Sequence, residues 1–135
     1  MARMVLDSWT LLAFFEDEPA AEKVEAILLD GENGKHHLFL CALDWCEIFT
    51  SIMSRVSQQA AEEKARQISE LPIELVVVGN DLALIRQASI YRATHGLTSA
   101  CAFTAALAKT RKASLVTGDP IFRVLEDQFK IQWLA

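Results

Sequence analysis

The sequence is poor in the features that would place it among stapled, membrane-spanning or disordered proteins. Its 135 residues include three cysteines, Cys41, Cys46 and Cys101. An odd number, at spacings that match no zinc motif, excludes a disulfide framework and indicates no zinc site, so a reducing compartment, the cytoplasm, is expected. No apolar run reaches the length needed to cross a bilayer. The start, Met1 to Asp7, carries one positive charge, but an acid breaks its apolar run, so it does not read as a signal peptide. There is no internal repeat, no low-complexity segment and no linker composition. Positive charge is scarce as well: 13 Lys and Arg against 18 Asp and Glu leave a formal charge of −5. That balance argues against a general nucleic-acid binder working by phosphate neutralisation. It leaves room for a metal-dependent nuclease, because divalent ions held by clustered carboxylates reverse the local sign.

What is present is apolar material, 52% of the chain, enough to bury a core. One domain over residues 1–135 is expected. Met4-Val5-Leu6 predicts a first strand closed by Asp7, with Ser8 as the cap of a following helix. That helix is rich in apolar residues, Trp9, Leu11, Phe14 and Phe15 among them, and predicts cover from another helix or a second chain. Pro19 fits the first position of a second helix with Ala20, Val24, Ile27 and Leu28 on its stripe. Lys35-His36-His37 reads as a basic hinge before a strand at Leu38–Cys41. The next helix carries Trp45, Phe49, Ile52, Met53 and Val56 on one stripe and Glu47 on the opposite side. Gln58 to Glu70 predicts an exposed helix with a thin apolar side of Ala61, Ala65 and Ile68.

Ile73 to Val78 is the strongest strand by β-branched content and is expected at the centre of the sheet. Asn80 or Asp81 caps a helix that Gly96 ends, and Thr98 or Ser99 caps an alanine-rich helix that predicts close, buried packing. Ser114–Thr117 predicts a buried strand ended by Gly118-Asp119-Pro120, and Lys130 to Trp133 a weak final strand. Strands alternating with helices in this way imply an α/β fold, a mostly parallel five-stranded sheet flanked by helices on both faces.

A parallel sheet gathers its strand ends on one edge, where ligands bind in open α/β folds. Asp7 and Asp119 both follow strands, so they are expected at that edge, and Glu47, on the helix after the second strand, is the natural third carboxylate. Such hard oxygen donors suit Mg²⁺ or Mn²⁺ better than zinc, and a two-ion arrangement hydrolyses phosphodiesters. Acids after strands also cap helices, and for any one of the three that role accounts for the residue at least as well. Arg86, Arg92, Lys109, Arg111 and Lys112 read as an RNA-facing rim or, equally, as solvated helix faces. His36-His37 reads as a surface turn.

The segments MVLDSW, CEIFTSI and LTSACAFTAALAKTRKASLVTGDPIFRVLE together resemble the PIN-domain family, in particular VapC-type toxins of bacterial toxin–antitoxin pairs, over essentially the whole chain. The resemblance implies a small α/β ribonuclease using clustered acids and Mg²⁺ or Mn²⁺, acting on RNA, dimeric and neutralised by a cognate antitoxin. Carried over by motif, Asp7, Glu47 and Asp119 are catalytic and metal-holding acids, with Ser8 and Thr117 in support. Cys101 falls where the family carries a further acid, which implies a degraded position and reduced activity. A neutral thiol brings no charge to a Mg²⁺ site. Two other readings stay open: a catalytically weakened PIN-like protein acting by binding an antitoxin or RNA, and an aspartyl-nucleophile phosphatase. For the latter Asp7 fits, although Trp9 stands where that class has its second acid.

Overall fold

A computed structural model describes residues 1–135. Alternation of apolar side chains with period two lets each inner strand face two cores at once. Val5 of β1 (Ala2–Leu6), Phe39 and Cys41 of β2 (His36–Cys41) and Leu115 of β4 (Ser114–Thr117) point to one side. Leu6, Leu38, Leu40 and Val116, their chain neighbours, point to the other. With β3 (Ile73–Val76) and β5 (Ile131–Trp133) the sheet is wholly parallel, in the order β3-β2-β1-β4-β5. Val5 pairs with both Phe39 and Leu115, so β1 is the central strand.

The first face is covered by α5 (Leu82–His95) and α6 (Ser99–Thr110). Ala102, Ala105, Ala106 and Ala108 of α6 are buried, as small side chains at a helix–sheet contact require. The second face takes α1 (Ser8–Phe15), α2 (Ala21–Glu32), α3 (Ala42–Arg55) and α4 (Gln58–Glu70). A short 3₁₀ segment, Pro120–Leu125, links β4 towards β5. No helix is long and apolar enough to cross a membrane.

Several local expectations are corrected. The β-branched strand is β3, and it lies at an edge, hydrogen-bonded to β2 alone, with Leu75 and Val77 exposed. β-propensity reports fit to a pleated surface and not the number of neighbouring strands. Ser8 is inside α1, and its N-cap is Asp7, whose Oδ1 accepts from Thr10 N–H at 2.9 Å. Pro19 precedes α2 in a turn, and His36 and His37 open β2. On α3 the buried positions are Asp44, Ile48 and Ile52, while Met53 and Val56 lie at the exposed end.

The apolar face of α1 is largely covered within the chain. Leu11 is fully buried, and the Trp9 ring lies flat against Gly118, where an added Cβ would meet Trp9 Cη2 at 2.2 Å. Only a residue without a β-carbon permits that approach. Beside it Trp9, Leu12, Pro19 and Leu134 line an open groove of about 420 Å³.

Candidate active site at the carboxyl end of the sheet

Three strand-to-helix junctions meet at the carboxyl edge. Asp7 follows β1, Asp119 follows β4, and Glu47 lies in the second turn of α3 after β2. Together with Ser8, Asp44, Thr98, Cys101 and Phe122 they line one cleft of about 240 Å³. Every residue read from the sequence as a site acid therefore reaches the same cleft, as does Cys101. Thr117 lies just beneath. Its hydroxyl donates to Asp7 Oδ2 at 2.5 Å and accepts from the Asp119 N–H at 3.0 Å. One buried hydroxyl thus fixes two acids of different loops relative to each other.

Asp7 and Asp119 also do what strand-end acids ordinarily do. Asp7 caps α1, and Asp119 Oδ1 accepts from Ile121 N–H at 3.0 Å to cap the 3₁₀ segment. Capping explains their hydrogen bonds but not the depth of Asp7, which is 3% exposed. Burial pushes its carboxyl up to about 6, the charge of Asp119 adds to this, and hydrogen bonds from Thr117 and Thr10 oppose it. Glu47 is exposed at the mouth.

The residue that sequence reasoning missed is Asp44. It is 3% exposed in the first turn of α3, where an acid reads as an ordinary dipole-complementing residue. Its Oδ1 accepts from the Ser8 N–H at 3.2 Å, and its Oδ2 from the Thr104 hydroxyl on α6. Ser8 therefore supports the site through its backbone. Burial pushes the Asp44 carboxyl up to about 7, and the charge of Asp7 contributes next. The only signal in the sequence is that this acid precedes Glu47 by one helical turn, which aligns the two on one side of α3.

Cys101 is half-buried in the first turn of α6, whose cap Thr98 accepts from its N–H at 3.3 Å. Burial raises its thiol pKa, a hydrogen bond with Thr98 opposes this, and the charges of Asp119, Asp44 and Asp7 raise it further. The thiol stays protonated at neutral pH, and the helix terminus does not activate it.

The donor set, all carboxylate, suits a hard divalent ion. The side chains as they stand form no three-residue ligand cluster, because both oxygens of Asp7 and of Asp44 are turned to internal donors. Each carboxylate oxygen retains a second lone pair for a cation.

The cations do not form a rim around this cleft. Lys109 and Lys112 line a separate cleft of about 750 Å³ with Arg3, Lys130 and Ser114, at the amino edge of the strands. Arg111 packs over the Phe39 ring, and Arg86 and Arg92 lie exposed on α5 outside the acidic cleft.

No curated protein matches the sequence. Solved structures do match the fold. The chain is similar to one from a DNA-bound VapBC of Salmonella typhimurium, with TM-score 0.74, 12% identity and 100% of each chain covered. A toxin–antitoxin complex from Klebsiella pneumoniae gives TM-score 0.71 and 13% identity over 98% of both chains. PAE2754 from Pyrobaculum aerophilum gives 0.68 and 18%, covering 96% of this chain and 89% of that one. At such identities the likeness speaks for the fold alone. The sequence itself matches the model of the PIN domain over residues 4–127, nearly its full length, and this chain accordingly belongs to the PIN-domain family.

Proposed function

We propose that the chain is a divalent-metal-dependent ribonuclease of toxin–antitoxin type, a single domain over residues 1–135 that hydrolyses RNA phosphodiester bonds in the carboxyl-edge cleft. The observation that carries this reading is the burial of two carboxylates, Asp7 and Asp44, in one cleft without a cation. No Lys, Arg or His forms an ion pair with either. Uncompensated buried charge is costly, and a bound divalent ion offsets that cost. Asp7, Glu47 and Asp119 would hold Mg²⁺ or Mn²⁺, which supplies Lewis-acid polarisation of a phosphoryl oxygen when bound. Thr117 keeps Asp7 and Asp119 in fixed relation, and Ser8 keeps its N–H on the cleft wall. The test is RNA cleavage with Mg²⁺ or Mn²⁺ against the same reaction in chelator. Cleavage that survives chelation, or none with either metal, overturns it.

One observation favours a weakened relative of such an enzyme, one that acts by binding an antitoxin or RNA: the neutral thiol at Cys101. Binding without metal-dependent cleavage distinguishes it. The aspartyl-phosphatase reading finds little support, since Trp9 stands where that class has its second acid.

We further infer a cognate antitoxin, a homodimer and the cytoplasm. Support for the antitoxin comes from the toxin–antitoxin complex that shares the fold. For the dimer it comes from the open apolar groove beside α1, and for the compartment from three unpaired cysteines. Sedimentation of the chain alone tests the dimer.

A further inference from the structure

We propose that Asp44 is the fourth acid of the cleft, supplying from α3 the carboxylate that position 101 of α6 lacks. The proposal rests on the nuclease reading and deepens it. Thr104, whose hydroxyl donates to Asp44, is three residues beyond Cys101 and on the same side of α6. The Asp44 carboxylate therefore lies against the α6 surface next to Cys101, in the same cleft as Asp7, Glu47 and Asp119. A charge missing from one wall is present on the adjoining one.

The alternative is that Asp44 is only a staple tying α1, α3 and α6 together. Two features oppose it. The ties of Asp44 do not need a charge. An asparagine of the same shape would accept from the Ser8 N–H through its oxygen and donate to the Thr104 hydroxyl through its nitrogen. That amide would avoid the cost of burying a carboxylate. What the acid offers and the amide does not is negative charge facing the cleft, the property a divalent ion uses.

The experiment is a Mn²⁺ titration followed calorimetrically and by metal-induced thermal shift, with RNA cleavage as a third readout, on the unaltered chain, Asp44→Asn, Cys101→Asp, the double variant, and Asp7→Asn. The expected result is that Asp44→Asn folds with a metal-free melting point equal to or above the starting one, yet binds Mn²⁺ about tenfold or more weakly, an order typical for losses around a metal site. Adding Cys101→Asp to it restores affinity to within about threefold of the unaltered chain, whereas Cys101→Asp alone gains less than about threefold because the fourth acid is already present. Unchanged Mn²⁺ affinity in Asp44→Asn, with affinity lost in Asp7→Asn, overturns the role of Asp44 and leaves the nuclease reading standing. No Mn²⁺ binding by the unaltered chain overturns both. If Asp44→Asn fails to fold, Cys101→Asp alone decides: a gain of about tenfold or more means the fourth position was vacant and the proposal is wrong.

Discussion

The two edges of the sheet carry opposite charge in opposite states of burial. At the carboxyl edge Asp7 and Asp44 are each 3% exposed, with Asp119 half-buried beside them. At the amino edge Arg3, Lys109, Lys112 and Lys130 are all exposed around a wider cleft. Helix direction accounts for part of the segregation. The acids stand at the starts of α1, α3 and the 3₁₀ segment, and Lys109 ends α6, so each sign complements the local helix dipole. Dipoles act on exposed groups too, where no desolvation cost is incurred. The burial at the carboxyl edge is what they leave unexplained, and it separates a candidate site from a solvated surface.

The sharpest way to break this contrast is to remove charge at each edge in turn. Asp7→Asn keeps the cap, since asparagine caps as well as aspartate, and is expected to reduce metal-dependent RNA cleavage by about 100-fold or more. Lys112→Glu with Lys130→Glu is expected to change it less than about threefold at moderate salt. Equal losses at both edges, read in one cleavage assay, would falsify the separation of roles.

A second measurement concerns acid stability. Burial raises the carboxyl of Asp7 to about 6 and that of Asp44 to about 7 from the ordinary aspartate value of 3.8. The folded chain therefore holds these protons at pH values where the unfolded chain has released them. Their stabilising contribution is complete below the unfolded value and is lost as pH rises through about 6 to 7. Metal-free protein should lose on the order of 6 kcal/mol between pH 4 and pH 8 from this source, measured by urea unfolding. Saturating Mn²⁺ should flatten the slope. A flat metal-free profile would place both acids in ordinary solvent.

Gly118→Ala probes the wall behind the site. The new methyl would overlap the Trp9 ring, and with ring and loop both packed the expected cost is about 1 to 3 kcal/mol in thermal or urea unfolding. Asp119 follows directly, so Mn²⁺ affinity should fall with it. A neutral outcome would mean that Trp9 swings away freely and does not hold the Asp119 loop. The smallest effect belongs to Lys112→Glu alone: an exposed side chain without an ion pair should change stability by less than about 0.5 kcal/mol.

Much of this is legible in the sequence alone. The order of strands and helices follows from periodicities of two and 3.6, and a parallel sheet follows from their alternation. Asp7 and Asp119 could be placed at one edge because a chain that alternates in this way must end every strand there. Asp44 could not be found in the same way. On a helix its spacing is that of a common first-turn acid, and nothing nearby in sequence shows that α1 and α6 close over it. For the same reason β3 read as central: its neighbours are a property of strand order, which local composition does not encode. The sequence by itself determined which side chains sit at element ends, because that is decided by backbone propensity and turn chemistry over a few residues. Only the tertiary structure decided which of those side chains lose water. Burial is set by segments distant along the chain, as when Ser8, Asp44 and Thr104 meet across three helices.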